Sequence, residues 1–363
     1  MERNKQNTKA EKHEPKNDRI GKFLQKDIGE YIFAELSPAY LERCGVGSFM
    51  KGVPVPFRKA DLEDAKAGKG LSTIRLSENM ARVAGMDINF AYKDKYLQFI
   101  KKLWGEKFAD GLYDIGQSEA EKGEFENACI YLRACLLLGS NRLKAMYAYA
   151  LVCREIYDAG YENGHDDEYV GLFKAEALGC FEELTIEYPD FAGSYFYLGY
   201  AYLNMGMYGK ADAVWKDFLR LTDAAAAETA ETSAEAGRML SEQRTEVSAR
   251  LAEIAEPCEI EKGYTAVLTG RFESGIEILE PFRRGKFERW WPLYYYLGLA
   301  YENTGRDKDA EKSFLKVLTL NAAHIESMQE LAKLYEARGE LEHMQKYLKK
   351  IEIVQAMGEK DNI

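Results

Sequence analysis

Histidine, the side chain most often used for acid–base work near neutral pH, occurs only at His13, His165, His324 and His343. None sits beside a serine or cysteine in a nucleophile-like turn, and no His-Glu-x-x-His pair occurs. The densest group of potential metal ligands is His165-Asp166-Asp167-Glu168. Carboxylates there would suit a hard divalent cation, but the run lacks the ligand spacing of a calcium loop and reads as a solvated acidic loop. Gly45, Gly47 and Gly52 follow no strand and lack dinucleotide-binding spacing. Gly68-Lys69 lacks the upstream glycine of a phosphate-binding loop, because that position is Glu63. Cys44, Cys129, Cys135, Cys153, Cys180 and Cys258 are scattered, with Cys129 and Cys135 six apart, which is no zinc spacing. They read as reduced, buried thiols. The expectation is a non-enzyme with no catalytic residue, metal or cofactor.

Composition agrees with a folded chain. Of 363 residues, 46% are hydrophobic and 30% charged, which excludes wholesale disorder. Eight prolines against 24 tyrosines and 17 phenylalanines favour long, aromatic-packed helices. A net charge of −11 disfavours non-specific nucleic-acid binding. Residues 1–22 lack the apolar core of a signal peptide, and no run approaches the ~20 apolar residues of a bilayer span. The expected location is the cytoplasm, with neither nucleic acid nor membrane as partner.

The elements follow from a repeat. In SYFYLGYAYLNMGMYGKADAVWKDFL, Gly199 is followed by Tyr202 at plus three, Gly206 at plus seven, Ala211 at plus twelve and Trp215 at plus sixteen. In YYYLGLAYENTGRDKDAEKSFLKVL, Gly298 has Tyr301, Gly305, Ala310 and Phe314 at the same offsets. Weaker copies start at Gly116 (Gly123, Ala128, Leu132), at Ala150, at Gly263 (Gly270, Gly275, Leu279) and at Ala332 (Tyr335, Gly339, Leu348). The last departs at Met344, where a small residue is expected. Small residues let helices cross closely, and the glycine at plus seven ends the first helix in a left-handed cap. Such a hairpin cannot bury its apolar face alone, so copies must stack.

This pattern resembles the tetratricopeptide repeat, a helix–turn–helix of 34 residues, over most of residues 108–354. The resemblance implies an all-α, TPR-like superhelical solenoid. The expected organisation is a disordered tail at 1–19, a helical N-terminal cap at 20–105, and a first block at 106–222 with an insertion near 158–172. A long helical insert at 223–256, ended by Pro257, a second block at 257–354 and a tail at 355–363 complete it. Ser37-Pro38 reads as a cap and first-turn proline, and Pro54 and Pro56 forbid helix around them.

The resemblance also implies a function: a scaffold or adaptor binding a peptide or helix in a groove lined by the first helices. Positions three before the small residue are Tyr113, Tyr147, Phe196, Ile260, Tyr295 and Gln329. Positions one after it are Gln117, Leu151, Tyr200, Tyr264, Leu299 and Lys333. Asn204 and Asn303 are candidates for contacts to a partner's backbone. The lysine–asparagine set of a carboxylate clamp is missing, so that specificity does not carry over. Two alternatives stand beside this reading. The rings pack between repeats or under the insert and the chain self-associates, or residues 1–105 hold an unrecognised catalytic region.

Overall fold

A computed structural model describes residues 17–59, 63, 72–139, 141–232 and 234–360, with backbone alone at 224–234 and 357–360. Residues 1–16 of the expected tail therefore lie outside the described residues. Among those described are 17 α-helices and one two-stranded sheet. The chain divides into two units, Met1–Leu198 and Gly199–Ile363.

Unit 1 opens with α1 (Gly21–Leu24), a 3-10 segment (Gln25–Glu30), β1 (Ile32–Glu35), α2 (Pro38–Arg43), α3 (Gly47–Met50) and β2 (Pro54–Phe57). The segment expected as a helical cap also carries a short strand pair, whose second strand holds Pro54 and Pro56. Residues 32–35 pair antiparallel with β2, with Phe33 opposite Pro56 and Glu35 opposite Pro54. Both prolines are locked extended, and their carbonyls accept hydrogen bonds from Asn79 Nδ2 (3.3 Å) and Tyr96 Oη (2.6 Å). Their missing N–H groups thus fall on the side that β1 does not use. Ser37 caps α2 as expected, accepting from Tyr40 N at 3.3 Å.

Then come α4 (Thr73–Met86), α5 (Lys93–Trp104), α6 (Lys107–Glu121), α7 (Phe125–Leu138), α8 (Arg142–Asn163) and α9 (Asp167–Glu187). The insertion near 158–172 is almost entirely helical. It lengthens α8 and α9 together, leaving only residues 164–166 between them, with Asp166 capping α9 through Glu168 N at 3.3 Å. Glu168 is taken by Lys22, and His165 stacks on Tyr169 at 5.2 Å. The acidic loop expected there is therefore a helix start. Residues 17–19 are not a loose tail either. Asp18 pairs with the buried Arg133 at 2.5 Å, and Ile20 and Leu24 are fully buried.

The division between units falls inside α10 (Ala192–Asn204). Unit 2 continues with α11 (Tyr208–Thr232), α12 (Ala234–Leu268), α13 (Phe272–Leu279), a 3-10 turn (Glu280–Arg283), α14 (Trp291–Asn303), α15 (Asp307–Leu320), α16 (Ile325–Ala337) and α17 (Leu341–Lys360). The insert forms no third helix between repeats. Its residues prolong α11 and begin α12, which lie antiparallel: Arg244 donates to Leu219 O at 2.7 Å, and Gly209 N donates to Glu261 at 2.7 Å. Pro257 sits inside α12 and does not end it. Ile254, Cys258 and Ile260 are buried on either side of it, and that burial outweighs the ~3 kcal/mol cost of an interior proline. α17 likewise runs on to Lys360, past the expected end of the repeats.

The repeat spacing has a direct cause. A Cβ on Gly298 would lie 2.5 Å from the Phe314 ring, and one on Gly199 2.1 Å from the indole of Trp215. At Gly263 it would meet Leu279 at 2.5 Å, and at Gly116 Leu132 at 2.9 Å. The residue sixteen later lies on the glycine itself. The turn glycines Gly123, Gly206, Gly270, Gly305 and Gly339 all take φ between 69° and 80°, the left-handed cap.

Candidate functional site

First helices of successive hairpins touch one another within each unit, α6 with α8 and α12 with α14. Within each unit these helices lie side by side, and the groove residues named above lie on first helices of one unit or the other.

In unit 1, Tyr113 is half-buried with the Lys144 ammonium 4.0 Å from its ring centre. Tyr147 is half-buried in an aromatic nest, edge-on to Phe191 at 4.9 Å and near Phe181 and Tyr197 at 6.4 and 6.2 Å. Burial pushes its phenol far above 10. Leu151, one turn on, is half-buried. Phe196 is only 7% exposed, packed edge-on against Tyr197 at 5.0 Å, so it offers almost no surface. The half-buried ring at this point is Tyr197, stacked on Phe181 at 5.7 Å with the Arg154 guanidinium 4.6 Å from its centre.

In unit 2, Tyr200 is half-buried, edge-on to Trp215 at 5.0 Å, and its hydroxyl donates to Glu246 of α12. The inserted stretch of α12 thus covers one of the groove candidates. Asn204 is exposed. Tyr264 stacks on Tyr296 at 5.2 Å. Tyr295 lies 5.7 Å from Tyr296, 6.2 Å from Phe314 and 4.9 Å from His324. Leu299 is half-buried, and Asn303, though exposed, spends its amide on Leu299 O at 2.9 Å. Ile260 is buried at 3%, whereas Gln329 and Lys333 are exposed.

Acidic groups border this wall. The Glu302 carboxyl is held above its usual range, first by burial and then by Glu330, with Lys333 opposing. Lys333 itself pairs with Glu330 at 2.8 Å. The surface at α14 and α16 therefore joins stacked tyrosines to a carboxylate edge.

The spacing rule missed Tyr197, Tyr296 and Arg154. Tyr197 and Tyr296 both stand two before the small residue, at the same register of the two best copies. That recurrence is the signal available in the sequence; Arg154 carries none. All six cysteines are free thiols; five are buried and Cys44 is half-buried. Among the described residues no group of three or more His, Cys, Asp or Glu is placed to hold a metal ion, and no helix is long and apolar enough to cross a membrane.

A family model described as tetratricopeptide repeat matches residues 292–324. No curated protein matches the chain. Among solved structures, a crystal structure of MamA is 20% identical over 56% of this chain and 97% of its own, with a TM-score of 0.31. MamA residues 41 to the end from Desulfovibrio magneticus RS-1 is 16% identical over 59% and 97%, at 0.29. The Cut9–Hcn1 hetero-tetramer of the APC/C is 12% identical over 79% of this chain and 61% of that one, at 0.30.

Proposed function

We propose that this chain, a tetratricopeptide-repeat protein, is a non-catalytic scaffold that holds a segment of a partner protein against its layer of first helices. The observation that carries the reading is the partly exposed aromatic wall of unit 2, where Tyr296 lies 5.2 Å from Tyr264 and 5.7 Å from Tyr295, with Leu299 packed against the same core. Tyrosine offers contact area and a hydrogen-bonding hydroxyl at little rotamer cost. Glu302 and Glu330 at its edge favour a segment that is apolar or aromatic with a basic residue at one flank. In unit 1 the Tyr147–Tyr197 nest, with Leu151, offers a second wall, and Tyr113 a separate ring. Exposed Asn204 and the carbonyl oxygen of Asn303 are available to a partner's backbone. The proposed setting is cytoplasmic.

A photo-crosslinker placed at Leu299 should capture a partner polypeptide, and one at Leu315, exposed on the second helix of the same hairpin, should not. Tyr295→Ala should reduce capture at Leu299 by ~10-fold, the loss of one aromatic anchor. Equal capture from both positions moves the site off this layer. Self-association is the second reading, favoured by the Tyr200–Glu246 contact that already covers one ring. Crosslinks solely between copies, with a dimer mass by light scattering, would establish it instead.

A further inference from the structure

The connection between α13 and α14 is unlike the others in unit 2. It spans 280–290, whereas α15 and α16 are joined by residues 321–324 alone. Its sequence, EPFRRGKFERW, alternates cations with aromatic residues. The loop is pinned rather than slack. The hydroxyl of the buried Tyr294 donates to Glu288 O at 3.0 Å, with Arg283 O 3.4 Å away, and Phe282, Phe287 and Trp290 pack in series at 5.9 and 6.4 Å. Beside it opens a hollow of about 900 Å³, lined by α13, this loop, Tyr294 and the cationic face of α15.

The charges in that hollow are unevenly used. Arg283 pairs with Glu280 at 3.1 Å, and Lys312 shares Asp309 with Arg306, at 3.5 and 3.7 Å. Lys316 has a ring and, among the described residues, no carboxylate for company: its ammonium lies 5.6 Å from the centre of Tyr294, with Arg283 5.9 Å from that centre. Arg284 is exposed and has no anionic partner among the described residues. Two cations without carboxylates and a third with a shared one thus converge on one concavity, in a chain whose net charge is −11.

We propose that this hollow, on the second-helix side of unit 2, docks an acidic segment of a partner protein, its carboxylates taken by Arg284, Lys312 and Lys316 above the Tyr294 ring. Three features favour a peptide carboxylate run over other anions. The hollow spans several side chains, wider than the closely forked donors that one phosphate needs. Glu277 and Glu280, which also line it, would oppose a dense dianion more than spaced single charges. A nucleic-acid strand long enough to bind through its phosphates would have to pass Glu277 and Glu280 on a chain of net charge −11, whereas a short peptide feels the field within a Debye length of ~8 Å. The site is independent of the first-helix layer and takes the opposite charge from the carboxylate edge there.

The test uses the full-length chain and a fluorescein-labelled octaglutamate peptide, read by anisotropy. Wild type should bind, with affinity falling as salt rises. Arg284→Glu with Lys316→Glu should weaken binding by ~10-fold or more. Lys349→Glu with Lys350→Glu, the same charge change on exposed positions of α17, should alter it by less than about twofold. Arg284→Gln with Lys316→Gln gives the intermediate loss and decides the matter if circular dichroism shows the reversal to be misfolded. Absence of binding by wild type, equal losses from both reversals, no loss in the glutamine pair, or tighter binding of an oligothymidylate of equal length would each overturn the proposal.

Discussion

Units 1 and 2 are made of the same helical hairpins but are closed by different contacts. In unit 2 the closing contacts are local and periodic: Trp215 on Gly199, Leu279 on Gly263 and Phe314 on Gly298. In unit 1 that form survives at Gly116 and Leu132, while α7 and the hairpin around Ala150 are also fastened by residues from far along the chain. Asp18 reaches Arg133 across 115 positions, Arg19 reaches Glu176 across 157, and Phe23 lies 4.8 Å from Tyr169 and 5.9 Å from Phe173. The difference teaches where stability resides. A lock sixteen residues long forms with its own hairpin, whereas a strap forms only once the chain has closed a long loop.

Truncating a local lock should have the largest effect. Phe314 is fully buried, so Phe314→Ala should destabilise unit 2 by ~4 kcal/mol in urea denaturation. Gly298→Ala should cost ~2 kcal/mol, because its methyl would lie 2.5 Å from the ring. Combining the two should cost less than their sum, since the methyl then enters vacated space. Simple additivity would mean that the pair is not the lock described.

The strap should matter next. Asp18→Ala leaves Arg133, 5% exposed, without its carboxylate, and should cost ~3 kcal/mol. Arg19→Ala removes a half-exposed partner and should cost under ~1 kcal/mol. Amide hydrogen exchange resolves where the loss falls. Faster exchange confined to α7 and α9 sharpens the contrast between the units. Equal acceleration throughout both units would erase it.

The same contrast explains what was legible in the sequence. Gly298 and Phe314, or Gly199 and Trp215, show themselves because the contact and the period are one fact. Arg133 gives no such sign, since a buried arginine in CIYLRACLLL looks like a surface residue until Asp18 is known to meet it. β1 hid for a related reason: Ile32–Glu35 has helical spacing and becomes a strand because Pro54–Phe57 offers an extended edge to pair with. Pro257 misled in the opposite sense, where burial of its neighbours overrides a local rule. Of the groove positions, those at −3 and +1 followed from the frame, yet Phe196 is buried and the ring left half-buried is Tyr197. Which ring of an aromatic run turns inward is set by neighbours such as Phe181, not by the run itself.

The smallest effect concerns a contact peculiar to unit 2. His324 caps α16, its Nδ1 accepting from Ser327 N at 3.1 Å, which requires that nitrogen to be unprotonated. From α14, Trp291 and Tyr295 press on the ring at 4.4 and 4.9 Å, and Glu326 Oε2 lies 3.6 Å from Nε2. Burial lowers the imidazole below its ordinary 6.5, with Glu326 opposing. A depressed folded-state value means that the unfolded chain takes up the proton first. The cap's contribution is therefore complete above 6.5 and is lost as pH falls from there through the folded-state value. His324→Asn keeps an N-cap acceptor without the titration. Its melting temperature should fall less than that of wild type between about pH 7.5 and about pH 5.5. Parallel falls would assign the acid sensitivity to other groups and leave the Trp291–His324–Tyr295 contact as packing alone.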